Sequence, residues 1–177
     1  MPGINSFTKL MLHLNGTDGS TTFTDDSGQS HSVTATSAAQ LDTAQQKFGT
    51  ASLLLAGGGI TVAGEDYIQT DSHADFNLNG NNFTIDWWIR YAAITNLRTP
   101  FFTSVNPGFG LIHRFDTDSK LHLYLSSNDS SHDIANAVAG TKSSWNANQW
   151  YHMALTWDGS NYRFFVDGTI DITVTSS

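Results

Sequence analysis

The sequence predicts an all-β fold, and three features carry that reading. Its clearest hydrophobic patterns repeat every second residue. Of its sixteen acidic residues fifteen are Asp and only Glu65 is Glu. The chain is also crowded with Thr and Ser, 21 and 19 of them, together with Gly and aromatic residues. Helix surfaces lean on Glu, Lys, Leu and Ala, whereas β-branched and aromatic side chains fit a pleated surface and Ser, Asp and Gly serve turns.

Along the chain, Lys9 to Leu14 reads as a strand closed by Asn15-Gly16-Thr17-Asp18-Gly19, and Ser32 to Thr36 as a weaker one after the turn Asp25-Asp26-Ser27-Gly28. Ala38 to Phe48, ended by Gly49, is the one helix-like stretch and amounts to a single turn or none. Ala51 to Leu55 and Tyr67 to Thr70 flank Gly57-Gly58-Gly59, a run open to φ values that other residues resist. The strongest strand follows: Phe83, Ile85, Trp87, Ile89 and Tyr91 form one apolar row, with Thr84, Asp86, Trp88 and Arg90 on the other face. Phe109 to Phe115 and Leu121 to Leu125 make a hairpin through Asp116-Thr117-Asp118-Ser119. Tyr151, Met153, Leu155 and Trp157 alternate with His152, Ala154 and Thr156; Asp158-Gly159-Ser160 then turns the chain into Tyr162, Phe164 and Val166, and Asp167-Gly168 into Thr169 to Thr175. About ten short strands at spacings of roughly 8–12 residues are the pattern of a sandwich or barrel.

Composition bounds the function. With 177 residues, 39% of them hydrophobic, the chain is expected to form one domain over 1–177, with no Pro- or Gly-rich linker and no internal repeat. Eight Lys and Arg against sixteen acids leave a net charge of -8, which repels a phosphate backbone or an anionic leaflet. The expectation is therefore no nucleic acid and no membrane insertion. The absence of cysteine excludes disulfides, thiolate chemistry and Cys-based zinc. No apolar run approaches the ~20 residues of a membrane span, and Met1-Pro2-Gly3-Ile4-Asn5 lacks a signal peptide's basic and apolar regions, so synthesis without one is expected.

A series of short motifs then resembles a family. Leu10-Met11-Leu12-His13-Leu14-Asn15-Gly16, Phe23-Thr24-Asp25-Asp26-Ser27-Gly28, Lys47-Phe48-Gly49-Thr50-Ala51-Ser52-Leu53, Phe83-Thr84-Ile85-Asp86-Trp87-Trp88-Ile89-Arg90, Trp150-Tyr151-His152-Met153-Ala154-Leu155-Thr156-Trp157-Asp158-Gly159 and Phe165-Val166-Asp167-Gly168 are together similar to the concanavalin A-like lectin and laminin G-like domains. The resemblance implies an antiparallel two-sheet jelly-roll sandwich. It is nearest to versions in bacteriophage virion and bacterial surface proteins, where the domain is usually a binding module, which places the expected location on a virion or extracellular surface. Family members normally continue past the Val-Asp-Gly hairpin with closing strands, whereas this sequence stops at Ser177. The expectation is that another subunit, another copy or further residues of the same protein cover the edge of Lys9 to Leu14, in an oligomer or larger assembly.

The superfamily's glucanases carry a Glu-x-Asp-x-x-Glu strand, and retaining glycoside hydrolysis needs two carboxylates about 5 Å apart. A single glutamate cannot build that motif, the pairs Asp116/Asp118 and Asp25/Asp26 sit in turns where Asp is ordinary, and no Gly-x-Ser-x-Gly elbow occurs. The expected function is thus non-catalytic, a carbohydrate-binding module such as a tail-fibre, receptor-binding or decoration protein. A purely structural subunit making protein contacts is the alternative, and a glycoside hydrolase a more distant one. If Phe83, Ile85, Trp87 and Ile89 point to the core, then Trp88, Arg90, Tyr124 and His152 point away from it, an aromatic surface with hydrogen-bonding partners of the kind a sugar ring needs. No cofactor is certain from the sequence. Calcium is the one candidate ion, because the resemblance implies a cation at the sandwich rim, and Asp25, Asp26, Glu65 and Asp66 lie in such loops; solvated turns account for the same residues. The seven His residues show neither His-x-His nor His-Glu-x-x-His spacing, so no transition-metal site is expected.

Overall fold

The computed structural model describes residues 5–56, 65–78, 81–95, 97–102, 110–114, 117–128 and 130–175. Gly57-Gly58-Gly59 and the hairpin residues Phe109, Phe115 and Asp116 lie outside them. Twelve strands and one 3-10 turn account for the regular structure among the described residues, so the all-β expectation holds. The chain falls into two units, Met1–Asn77 and Leu78–Ser177.

In the first unit β1 (Val33–Thr36) pairs antiparallel with β4 (Tyr67–Thr70), and β2 (Gln40–Asp42) with β3 (Ser52–Leu54). A small core of Phe23, Leu41 and Ala51 is flanked by Leu14, Val33, Ala35, Leu53 and Ile68. The helix-like stretch 38–48 contains β2 instead of a helical turn. Leu41 is 1% exposed, its amide donates to Ser20 O at 2.8 Å and its carbonyl accepts from Gly19 N at 2.9 Å, so tertiary partners claim its backbone.

Residues 9–14 do not form the strand expected of them. The Asp25 carboxylate accepts from Met11 N at 3.1 Å, Met11 O accepts from Asp26 N at 2.8 Å, and Leu14 takes a left-handed φ of 57°. A side chain therefore satisfies a backbone group that a ladder would otherwise use. Beyond β4 a single 3-10 turn, Ala74–Phe76, is capped by His73, whose Nδ1 accepts from Asp75 N at 3.1 Å.

The second unit contains two four-stranded antiparallel sheets. One has the order β12 (Thr169–Thr175), β11 (Asn161–Val166), β10 (Trp150–Trp157), β5 (Phe83–Arg90). The other runs β6 (Leu97–Phe102), β7 (Gly110–Arg114), β8 (Lys120–Leu125), β9 (Ala135–Ala139). Alternation decides which face each strand buries. Tyr151, Met153 and Leu155 of β10, Tyr162, Phe164 and Val166 of β11, and Ile172 and Val174 of β12 meet Leu121, Leu123 and Leu125 of β8 in one core, with Phe83, Trp87 and Ile89 of β5 against it. Two antiparallel sheets sharing one core are a sandwich. Leu155 is 2% exposed, and truncating it to Ala would cost about 2–5 kcal/mol.

Two strands of this unit escape sequence patterning. β6 contains Pro100, which has no N–H to donate; the strand sits at a sheet edge and its register slips between Arg98 and Phe101. β9 is Ala-rich, with Ala137 at φ 55°, and is held by β8 across another register shift.

Candidate functional site

On the sheet of β5, β10, β11 and β12, the residues alternating with the core row form an outward face. The register sets Trp88 opposite His152 and Asp86 opposite Ala154. The Trp88 and His152 ring centroids are 5.1 Å apart at an interplanar angle of 32°, and Trp88 remains 38% exposed. His152 Nε2 lies 3.0 Å from Asp86 Oδ2, which fixes the imidazole beside the indole. The His152 backbone is clamped as well, its N–H donating to Asp167 Oδ1 at 2.9 Å and its carbonyl accepting from Asp167 N at 2.8 Å. Asp167 sits in the β11–β12 turn at φ 50°, a conformation Asp tolerates better than most residues.

Arg90, two residues along β5, donates from Nη2 to Asn148 Oδ1 at 2.6 Å and from Nε to Asn148 O at 3.3 Å, so it borders the face while bracing the chain ahead of β10. Farther across, Ala154 lies opposite Phe165 and Phe165 opposite Ile170, which is 49% exposed. Arg163 pairs with Asp158, and this guanidinium, with the amides of Asn161 and Ser160, holds the Asp158 carboxyl at about 2. A cavity of about 270 Å³ opens next to Ile170, lined also by Asp167, Thr169 and Lys142.

Tyr124, expected on the same platform, is a correction. It belongs to β8 of the other sheet, on the face opposite Leu123 and Leu125, where its ring meets His132 at 5.1 Å. The outer faces of a sandwich point in opposite directions, so Tyr124 cannot share a ligand with Trp88 and His152. The face therefore consists of Trp88, His152, Asp86 and Arg90, with Phe165 and Ile170 beside them.

The loop carboxylates are engaged one by one. Asp25 Oδ1 accepts from Met11 N at 3.1 Å and Ser27 N at 2.9 Å; Oδ2 accepts from Ser27 Oγ and His31 N, both at 2.9 Å. Desolvation acts to raise the Asp25 pKa, but these four hydrogen bonds outweigh it and bring the value down to about 2. Asp26 Oδ2 lies 2.7 Å from His13 Nδ1, and Asp66 Oδ1 accepts from Ala38 N at 2.8 Å. Among the described residues no three of Asp25, Asp26, Glu65 and Asp66 converge as ligands. Of the pair Asp116/Asp118, Asp118 Oδ2 lies 2.9 Å from His122 Nε2.

Sequence spacing missed a different cluster. His31 Nε2 and His73 Nδ1 lie 3.2 and 3.3 Å from the same oxygen, Asp75 Oδ2, while Lys9 Nζ lies 3.0 Å from Oδ1. The Lys9 contact holds the Asp75 carboxyl below its ordinary value. His73 and Asp75 are near neighbours in sequence, but only the β1–β4 pairing brings His31 to them.

With this geometry in place, a family model for laminin G-like domains, described as the concanavalin A-like lectin/glucanases superfamily, matches residues 62–177. The chain belongs to that superfamily. No curated protein matches the sequence. Membership accounts for the antiparallel sandwich of β5–β12, and it covers both binding modules and glycosidases. The choice between them rests on the side chains.

Proposed function

We propose that this chain is a non-catalytic, carbohydrate-binding laminin G-like module, and that its sugar contact is the outward face centred on Trp88. The observation that carries the reading is the pairing of a 38% exposed indole with an imidazole fixed 5.1 Å away. A 38% exposed indole offers an apolar surface that the C–H face of a pyranose can stack on. Asp86, His152 and Arg90 supply acceptor and donor atoms at the margin for ring hydroxyls. Catalysis is the weaker reading, because Glu65 is the single glutamate and Asp25 has both oxygens filled by hydrogen-bond donors. The motif series resembles versions of the domain in phage virion and bacterial surface proteins, which supports a surface polysaccharide as the proposed ligand and a virion or surface assembly as the proposed setting.

The test is titration of the full chain against a panel of bacterial surface polysaccharides, followed by calorimetry on any binder. Binding that Trp88→Ala abolishes, with the fold intact by circular dichroism, supports the reading. Binding unchanged by Trp88→Ala, or no binding across the panel, would leave the protein-contact alternative standing.

A further inference from the structure

We propose that His31, His73 and Asp75 form a site for a divalent transition-metal ion of the zinc type. The ladder builds it. Val33 pairs with Thr70 at the end of the β1–β4 ribbon, so the residues just before β1 and just after β4 emerge side by side. The 3-10 turn then folds Asp75 back between the two imidazoles. One ligand atom from each of the three residues lies within 4.8 Å of the others.

Two of the three spacings fit coordination as they stand. Metal–ligand distances of about 2.0–2.2 Å at tetrahedral corners put neighbouring ligand atoms about 3.3–3.6 Å apart. The separations to Asp75 Oδ2 are 3.2 Å from His31 and 3.3 Å from His73. His31 is packed, its side chain 10% exposed and its ring 4.6 Å from Phe76, so its Nε2 is aimed and not merely tethered.

The hydrogen bonding suits a cation. Asp75 N–H donates to His73 Nδ1 at 3.1 Å, so that nitrogen presents a lone pair, and the same nitrogen stands 3.3 Å from a carboxylate oxygen. Two acceptors side by side repel unless positive charge lies between them. On coordination the His73 lone pair turns from the amide to the ion. Lys9 occupies Oδ1, the far oxygen, and leaves Oδ2 to the imidazoles. Its charge opposes the ion, but its side chain is 43% exposed and can swing into solvent.

Two nitrogens and one oxygen suit zinc, cobalt or nickel, whereas calcium and magnesium prefer all-oxygen shells. The fourth position faces a cavity of about 360 Å³ whose wall includes Ser30, Ser72 and Asp71, roomy enough for a coordinated water. An ion held there would tie the segment before β1 to the turn after β4. This inference rests on the first unit alone and is independent of the Trp88 face.

The test uses the full chain stripped with chelator and titrated with zinc chloride near pH 7.5 by calorimetry, with cobalt absorption as a second probe. One-to-one binding is expected, weakened about tenfold or more by each of His31→Ala, His73→Ala and Asp75→Asn, and unaffected by His132→Gln. To guard against variants that fail to fold, imidazole ¹⁵N spectra of the wild-type chain should show zinc shifting His31 and His73. No binding up to about 1 mM zinc, binding that survives all three substitutions, or imidazole shifts confined to other histidines would overturn the proposal.

Discussion

The carboxylate of Asp171 fills the space over Gly140 where a Cβ of residue 140 would otherwise stand. Asp171 is the extra residue of a β-bulge: Phe164 pairs with Ile172 and Phe165 with Ile170, leaving Asp171 unpaired. Bulges re-aim side chains, and here Asp171 turns toward the chain leaving β9. Its Oδ1 accepts from Thr141 N at 2.8 Å, Thr141 Oγ1 at 3.0 Å and Lys142 N at 2.6 Å. Gly140 N donates in turn to Leu121 O at 2.8 Å, so one buried carboxylate joins the edge of one sheet to β8 and β9 of the other. Asp171 Oδ2 is buried with no hydrogen-bond partner among the described residues, pressed onto the only residue type that leaves room for it.

Gly140→Ala is therefore expected to destabilise the fold by about 1–3 kcal/mol, the usual cost of overpacking. Asp171→Ala should cost a similar about 1–3 kcal/mol by stranding the Thr141 and Lys142 amides. The two costs should not add, since removing the carboxylate frees the space the new methyl needs. Urea unfolding of both single variants and the double variant checks this, and additive losses would mean that the two residues do not contest one volume.

Acid stability should depend on Asp25. Its folded pKa of about 2 lies below the ordinary 3.8, so its contribution is fully present above the unfolded value and disappears as pH falls through the folded one. Denaturant midpoints measured between about pH 4 and pH 2 should drop more steeply for the wild type than for Asp25→Asn. Parallel curves would show that the four hydrogen bonds to this carboxylate do not favour its charged form.

On the outward face, Trp88→Ala should weaken polysaccharide binding by about 1–3 kcal/mol with little change in melting temperature, because the indole is exposed and its removal leaves no core cavity. His152→Ala should reduce affinity less. Tyr124→Ala should leave affinity unchanged, since its ring lies on the other sheet. A Tyr124 effect equal to that of Trp88 would displace the binding site from this face.

Incubation with laminarin-type β-glucans should release no reducing ends. Turnover that Glu65→Gln removes would refute the binding-only reading and make that glutamate the acid or nucleophile of a hydrolase.

Alternation along single strands carried much of the architecture. The rows Phe83/Ile85/Trp87/Ile89 and Tyr151/Met153/Leu155 announced β5 and β10, and Asp158-Gly159 and Asp167-Gly168 announced the β10–β12 meander, because side-chain period and turn chemistry are local properties of the chain. The same rule put Trp88 and His152 outward. It could not say that Tyr124, equally outward, belongs to the opposite sheet, since period two reports a strand's own faces and nothing about which sheet the strand joins. Residues 9–14 read as a strand too, yet Asp25 takes the Met11 amide from fourteen residues away. β9 and β6 are strands because β8 and β7 hold them, against weak propensity in one and a proline in the other. His31 and Asp75 are 44 positions apart and meet only through the pairing of β1 with β4. Which residues face the core follows from a pattern a few positions long; which distant side chains share one few-ångström space follows from strand partnership, which only the folded chain establishes.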